Sequence, residues 1–242
     1  MQTISLNPLI FATLNVMISP LILFALSSDF TPTSEYARRE VQGFQIYIHP
    51  NLKEHPAERD QMVSMLDEKL KEIHKIVPKA AVSKLKTTKI WISWESKSSV
   101  AAVYHPSAAW LAQHKFNPDM EKSVELGNAK NVLNWTKLNQ PYMVLHELAH
   151  AYHHQHVGYG DKSIKAAYEA AVASGKYDDV EMKPQGRGKH YGMNNEMEFF
   201  AELSESYFGL NDFQPFTRSD LKSFDPQAYA AVEAAWGIKK VE

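Results

Sequence analysis

Apolar and polar residues alternate over Phe44-Gln45-Ile46-Tyr47-Ile48, the pattern of a half-buried strand, and Pro50 closes the run. The period then changes. Met62, Met65, Leu66, Leu70, Ile73 and Val77 recur every three or four positions, which predicts an amphipathic helix over 56–77, ended by Pro78. Lys89-Ile90-Trp91-Ile92-Ser93-Trp94 reads as a second strand. Val100–Tyr104 reads as a third strand or the lead-in to a loop at Pro106, and Ser123–Leu126 and Asn131–Leu133 as short strands about Gly127-Asn128. Pro141 opens a helix, and further helices are expected over 164–173, 196–208 and 226–236. The last begins at Asp225-Pro226, a cap followed by a first-turn proline. Residues 175–192, rich in Gly, Pro and charge, read as a loop. Strands come first and helices later, which predicts an α+β fold with a small mixed sheet and a helical C-terminal lobe.

Two N-terminal stretches lie outside this pattern. From Leu6 to Leu26 no charged residue occurs, and the dense run Leu21–Leu26 ends at the small-x-small sequence Ala25-Leu26-Ser27. Residues 1–27 are therefore expected to be a cleaved export signal or a retained N-terminal anchor, although no Lys or Arg precedes the run. Either reading puts the remainder outside the cytoplasm, secreted or periplasmic, and on the membrane only if the segment stays as an anchor. Residues 28–40 are polar, carry Pro32 and read as a linker. That leaves 41–242 as one folded domain.

Composition narrows the chemistry. At 242 residues the chain can bury one substantial core, or two small lobes flanking a cleft. A 44% hydrophobic and 22% charged balance is that of an ordinary globular protein. With a net charge of −2 and no basic stripe, a nucleic-acid partner has no electrostatic support. There is no cysteine, which removes disulfides, thiolate metal sites and a cysteine nucleophile together. Any metal must be held by His and carboxylate.

The helix after Pro141 carries His146-Glu147-Leu148-Ala149-His150. Two histidines four apart project from one helix face, one turn apart, at a spacing that lets both ring nitrogens meet a single zinc ion. Glu147 is then placed to take a proton from a water on the metal's open position. Five residues alone also occur by chance, so a third ligand is required.

Two positions compete for that role. His156 reproduces the three-histidine spacing of metzincins, but His153 stands where those proteins have the glycine that turns the chain back to the metal. On a continuing helix His156 lies too far along the axis. The alternative is Asn194-Asn195-Glu196-Met197-Glu198-Phe199-Phe200-Ala201-Glu202, where Glu198 and Glu202 share a helix face. One carboxylate there can ligate zinc while the other fixes a histidine tautomer. Asn195-x-x-Glu198 also fits a capping box, the plainer account of Glu198. His153, His154 and His156 are expected to extend the helix into solvent or pack beneath the site, and His190 to lie in a surface loop.

The segment Tyr191-Gly192-x-x-Asn195-Glu196-x-Glu198-Phe199-Phe200-Ala201-Glu202, following the HExxH helix, resembles the C-terminal protease domain of anthrax lethal factor and its relatives, which include secreted Pro-Pro endopeptidases. The likeness covers residues 140–208. It implies a zincin-like fold with the sheet packed on the HExxH helix and one zinc ion per chain. His146, His150 and Glu198 would be its ligands, Glu147 the general base, Tyr191 the donor to the oxyanion, and Glu202 a carboxylate behind the ligands. The implied activity is hydrolysis of a peptide or protein substrate. Lethal factor's toxin delivery and kinase substrates are not implied. Residues 124–133 are the expected edge strand for an extended peptide. The rival from another class is a non-catalytic peptide- or cell-wall-binding module of the same fold.

Overall fold

A computed structural model describes residues 29–184 and 186–238, so the export signal or anchor expected over 1–27 lies outside the described residues. The first element is β1 (Ala37–Val41), antiparallel to β2 (Phe44–Ile48). Residues 37–40, expected to belong to a linker, are thus strand. Ala37-Arg38-Arg39-Glu40 is exposed, so its extended form is set by the ladder with β2 and not by an apolar period of its own.

Helices α1 (Pro56–Ile76) and α2 (Lys79–Leu85) follow, divided by Val77-Pro78, because proline cannot continue a helix but can open one. They carry the chain over to β3 (Ile90–Ile92), which pairs parallel to β2. Next come β4 (Ala102–His105) and α3 (Ala108–Gln113), the latter capped by the Ser107 hydroxyl, and then β5 (Ser123–Leu126). β5 pairs parallel with β3 and antiparallel with β4, giving the sheet order β1-β2-β3-β5-β4. The edge strand on this side is therefore β4, and β5 lies inside the sheet. This corrects the expectation that residues 124–133 supply the edge.

A second correction follows at once. Asn131–Leu133, expected as a strand, sits within α4 (Ala129–Leu138). Asn128 accepts the Asn131 N–H at 3.0 Å as N-cap, and Ala129, Val132, Leu133 and Thr136 form the buried face at helical spacing. The motif helix α5 (Met143–Tyr152) then packs against β4 and β5.

The rest is almost entirely helical: α6 (Lys162–Ser174), a two-residue ribbon of β6 (Val180–Glu181) and β7 (Arg187–Gly188), α7 (Glu196–Phe208), α8 (Arg218–Phe224) and α9 (Pro226–Ala235). The architecture is a mixed α+β fold with a small mixed sheet and a helical C-terminal part. No helix among the described residues is long and apolar enough to cross a membrane.

One core lies between sheet and helices, where Ile46, Ile90 and Val124 meet Leu66, Leu70 and Leu148. A smaller cluster of Tyr36, Tyr47, Trp91, Leu111 and Met120 covers the opposite face. α5 crosses α7 within the main core, in which Ala149, Ala151 and Ala201 are all buried. Gly209 ends α7 against the ring of Tyr142, just before α5. A Cβ at this position would lie 2.0 Å from the ring, so any other residue would have to displace Tyr142.

Candidate metal centre

Nine of the ten residues of α5 are buried, so the helix forms the floor on which the site stands. His146 and His150, one turn apart, turn toward α7. There the Asn195 side chain accepts the Glu198 N–H at 2.9 Å and caps the helix. The reciprocal half of a capping box is not formed. The Glu198 carboxylate instead faces the histidines, with Oε2 at 3.2 Å from Nε2 of both His146 and His150. The two ring nitrogens are 3.1 Å apart.

Two imidazole nitrogens and a carboxylate oxygen therefore converge on one point as a group that could hold a metal ion. Donors about 2.0–2.1 Å from a tetrahedral ion lie roughly 3.3–3.4 Å from one another, so the observed triangle needs to open by only about 0.2 Å. Three lone pairs this close repel unless a proton or a cation lies between them. Burial alone would lower the His146 pKa, but hydrogen bonds to Glu198 and Glu205 raise it well above the ordinary histidine value. Glu198 moves the other way: burial opposes ionisation, while His146 and His150 hold its carboxyl far below the usual range.

Behind the group, His146 Nδ1 donates to Glu205 Oε1 at 2.8 Å. Glu202, which the family resemblance put in this role, stands farther off, its Oε1 3.5 Å from the same nitrogen. Glu202 instead accepts from Asn211 Nδ2 at 3.0 Å, and burial followed by the charge of Glu205 raises its pKa well above normal. Asp212 in the same pocket of acids is pushed up to about 6 by burial and by Glu205. Glu205 was missed in the sequence, yet a signal existed. Glu198, Glu202 and Glu205 are spaced i, i+4, i+7, a single stripe along α7.

Glu147 is buried beside the histidines, and burial raises its pKa above the usual carboxylate value. Tyr191 begins the short 3-10 turn Tyr191–Asn194 that leads into α7, and remains half exposed. Burial of part of its ring and the nearby charge of Glu198 raise its pKa, so the phenol keeps its proton.

The other histidines separate cleanly from this group. α5 runs on into a single π turn, His153–Val157, and leaves helical geometry only at Gly158, whose φ is +96°. His156 lies against Tyr152 and is not part of the group that could hold a metal ion. His154 pairs its Nδ1 with the Tyr104 hydroxyl of β4 at 2.9 Å. His153 is fully buried beside Phe200 and Tyr159. His190, expected in a surface loop, is buried too: its Nδ1 accepts the Gly192 N–H at 2.9 Å and fixes the turn that carries Tyr191. A single histidine in a Gly-rich stretch gave no hint of that burial.

No family model matches the chain, and neither a curated protein nor a solved structure matches it.

Proposed function

We propose that this protein is a zinc-dependent endopeptidase with a zincin-like fold, using His146, His150 and Glu198 to hold one zinc ion and Glu147 as general base. The observation that carries the reading is the convergence of the three donor atoms at 3.1–3.2 Å beside a buried glutamate. A zinc ion bound there would lower the pKa of a water toward roughly 7 and polarise a peptide carbonyl.

The remaining work falls to side chains and backbone. Glu147 accepts the proton of the attacking water, and its raised pKa lets it hold that proton until it passes to the leaving amine. Tyr191 donates its phenolic hydrogen to the oxyanion, a role its raised pKa favours. Edge strand β4 leaves one side of its backbone without a ladder partner among the described residues, which suits an extended peptide or protein substrate. An export signal or anchor over 1–27 would set this activity outside the cytoplasm, secreted or periplasmic.

The test is cleavage of a peptide library by zinc-loaded protein, with and without chelator. Chelator should stop turnover, and Glu147→Ala should keep its zinc while losing about 10²–10⁴-fold in rate. Full activity in Glu147→Ala would overturn the mechanism. Zinc binding without cleavage of any peptide would leave a non-catalytic binding module.

A further inference from the structure

A cavity of about 920 Å³ opens on the face of the sheet opposite α5, away from the metal-binding group. Trp91 and Ile92 of β3 and Glu125 of β5 line it from the sheet. Val124 and Leu126 pack into the core shared with α5, so Glu125 between them turns to the other face, beside its ladder partner Trp91. Glu125 is 2% exposed. A carboxylate buried alone would take up a proton. Here burial does push the pKa up, but His105 Nε2 at 2.7 Å and the Ser98 hydroxyl both donate to Oε2, and the net result lies below the ordinary value. The fold thus keeps Glu125 ionised at the bottom of the cavity, and a protonated His105 forms an ion pair with it.

The walls add to this in two ways. Four carboxylates, Asp29, Glu35, Glu95 and Glu125, line the cavity against two ammonium groups, Lys97 and Lys115. Lys115 is engaged by Asp29 at 3.2 Å, and neither Glu35 nor Glu95 has an ion-pair partner among the described residues. Aromatic rings supply the rest: Tyr36 stands edge-on to Trp91 at 4.8 Å, and Phe116 packs against the same cluster. Trp91 also buries its Nε1–H with no acceptor among the described residues. An excess of carboxylates over ammonium groups in a cavity lined by aromatic side chains suits an organic cation, and an unpaired indole N–H suits a ligand that also carries a carbonyl oxygen.

We propose that this cavity is a second binding site, separate from the metal centre, for an ammonium or guanidinium group attached to a carbonyl-bearing backbone: a lysine or arginine unit, free or within a peptide. The site does not depend on metal or on peptidase activity.

Binding is measured on the full-length protein, treated with chelator, by titration followed in ¹H–¹⁵N spectra. The probes are N-acetyl-lysine methylamide and N-acetyl-arginine methylamide, with neutral N-acetyl-norleucine methylamide and carbonyl-free agmatine as comparisons; a Lys-containing tripeptide separates peptide from single residue. The cationic amides should shift the Trp91 indole N–H and the Glu125 and Tyr36 amides, with norleucine amide at least about tenfold weaker, a difference of about 1.4 kcal/mol. Glu95→Gln, on the exposed rim, should weaken binding several-fold without disturbing the fold, and Glu125→Gln should abolish it. Agmatine binding as tightly as the arginine amide would remove the role of the indole N–H. Equal binding of the norleucine amide, shifts confined to α5 and α7, or no shifts at millimolar probe would overturn the proposal, and none of these outcomes bears on zinc-dependent cleavage.

Discussion

Replacing Glu205 by Gln keeps the shape of the side chain and an acceptor oxygen for His146 Nδ1, and removes only the charge. The 2.8 Å contact is part-buried, with Glu205 4% exposed. A hydrogen bond to a charged group contributes about 1.5–3 kcal/mol and a neutral one about 0.5–1.5 kcal/mol. The substitution should therefore cost about 1–1.5 kcal/mol of histidine basicity at the metal, or roughly 5–12-fold in zinc affinity. Glu202→Gln should do less, because Glu202 stands 3.5 Å from that nitrogen and is already disposed to carry a proton. Apo-protein titrated with zinc against a chromophoric chelator gives both affinities directly. If Glu202→Gln weakened binding more than Glu205→Gln, or if Glu205→Gln stayed within twofold of the parent, the assignment of Glu205 as the tautomer-fixing carboxylate would be wrong.

Two further outcomes are expected. Glu198→Gln should lose most of its bound zinc by mass spectrometry under native conditions, whereas His156→Ala should keep it, and the reverse result would restore the three-histidine arrangement. Acid should destabilise the metal-free protein through its buried neutral histidines. Burial lowers His153 to about 4 and His190 to about 3, so between pH 6.5 and those values the unfolded chain binds more protons than the native one, and stability falls as pH falls. At about 1.4 kcal/mol per unit each contributes a few kcal/mol over that window. His153→Phe should flatten the dependence of the urea midpoint on pH by about one proton, and an unchanged slope would contradict the burial argument.

The sequence alone determined whatever depends on a local period. A helix has 3.6 residues per turn wherever it forms, so the spacing of Met62 to Val77 specified α1, and the four-residue step from His146 to His150 put both rings on one face. The stripe Glu198, Glu202, Glu205 is legible for the same reason. Short or polar segments carry no such period. Asn131-Val132-Leu133 is too brief to distinguish strand from helix, and its fate was settled by the Asn128 cap upstream and by the buried face it completes. β1 is extended because β2 lies beside it.

Tertiary structure decided which of the available side chains meet. That Glu198 rather than His156 joins the two histidines follows from the way α7 crosses α5, and from a helix that does not turn off until Gly158. The same crossing brings Glu205 closer than Glu202 to His146. The burial of His190 and of Glu125 depends on elements distant in the chain closing over them, and no neighbouring residue announces it. Periodicity is a property of the backbone near each residue, whereas convergence is a property of packing between elements, and only the second selects a site from the candidates that the first supplies.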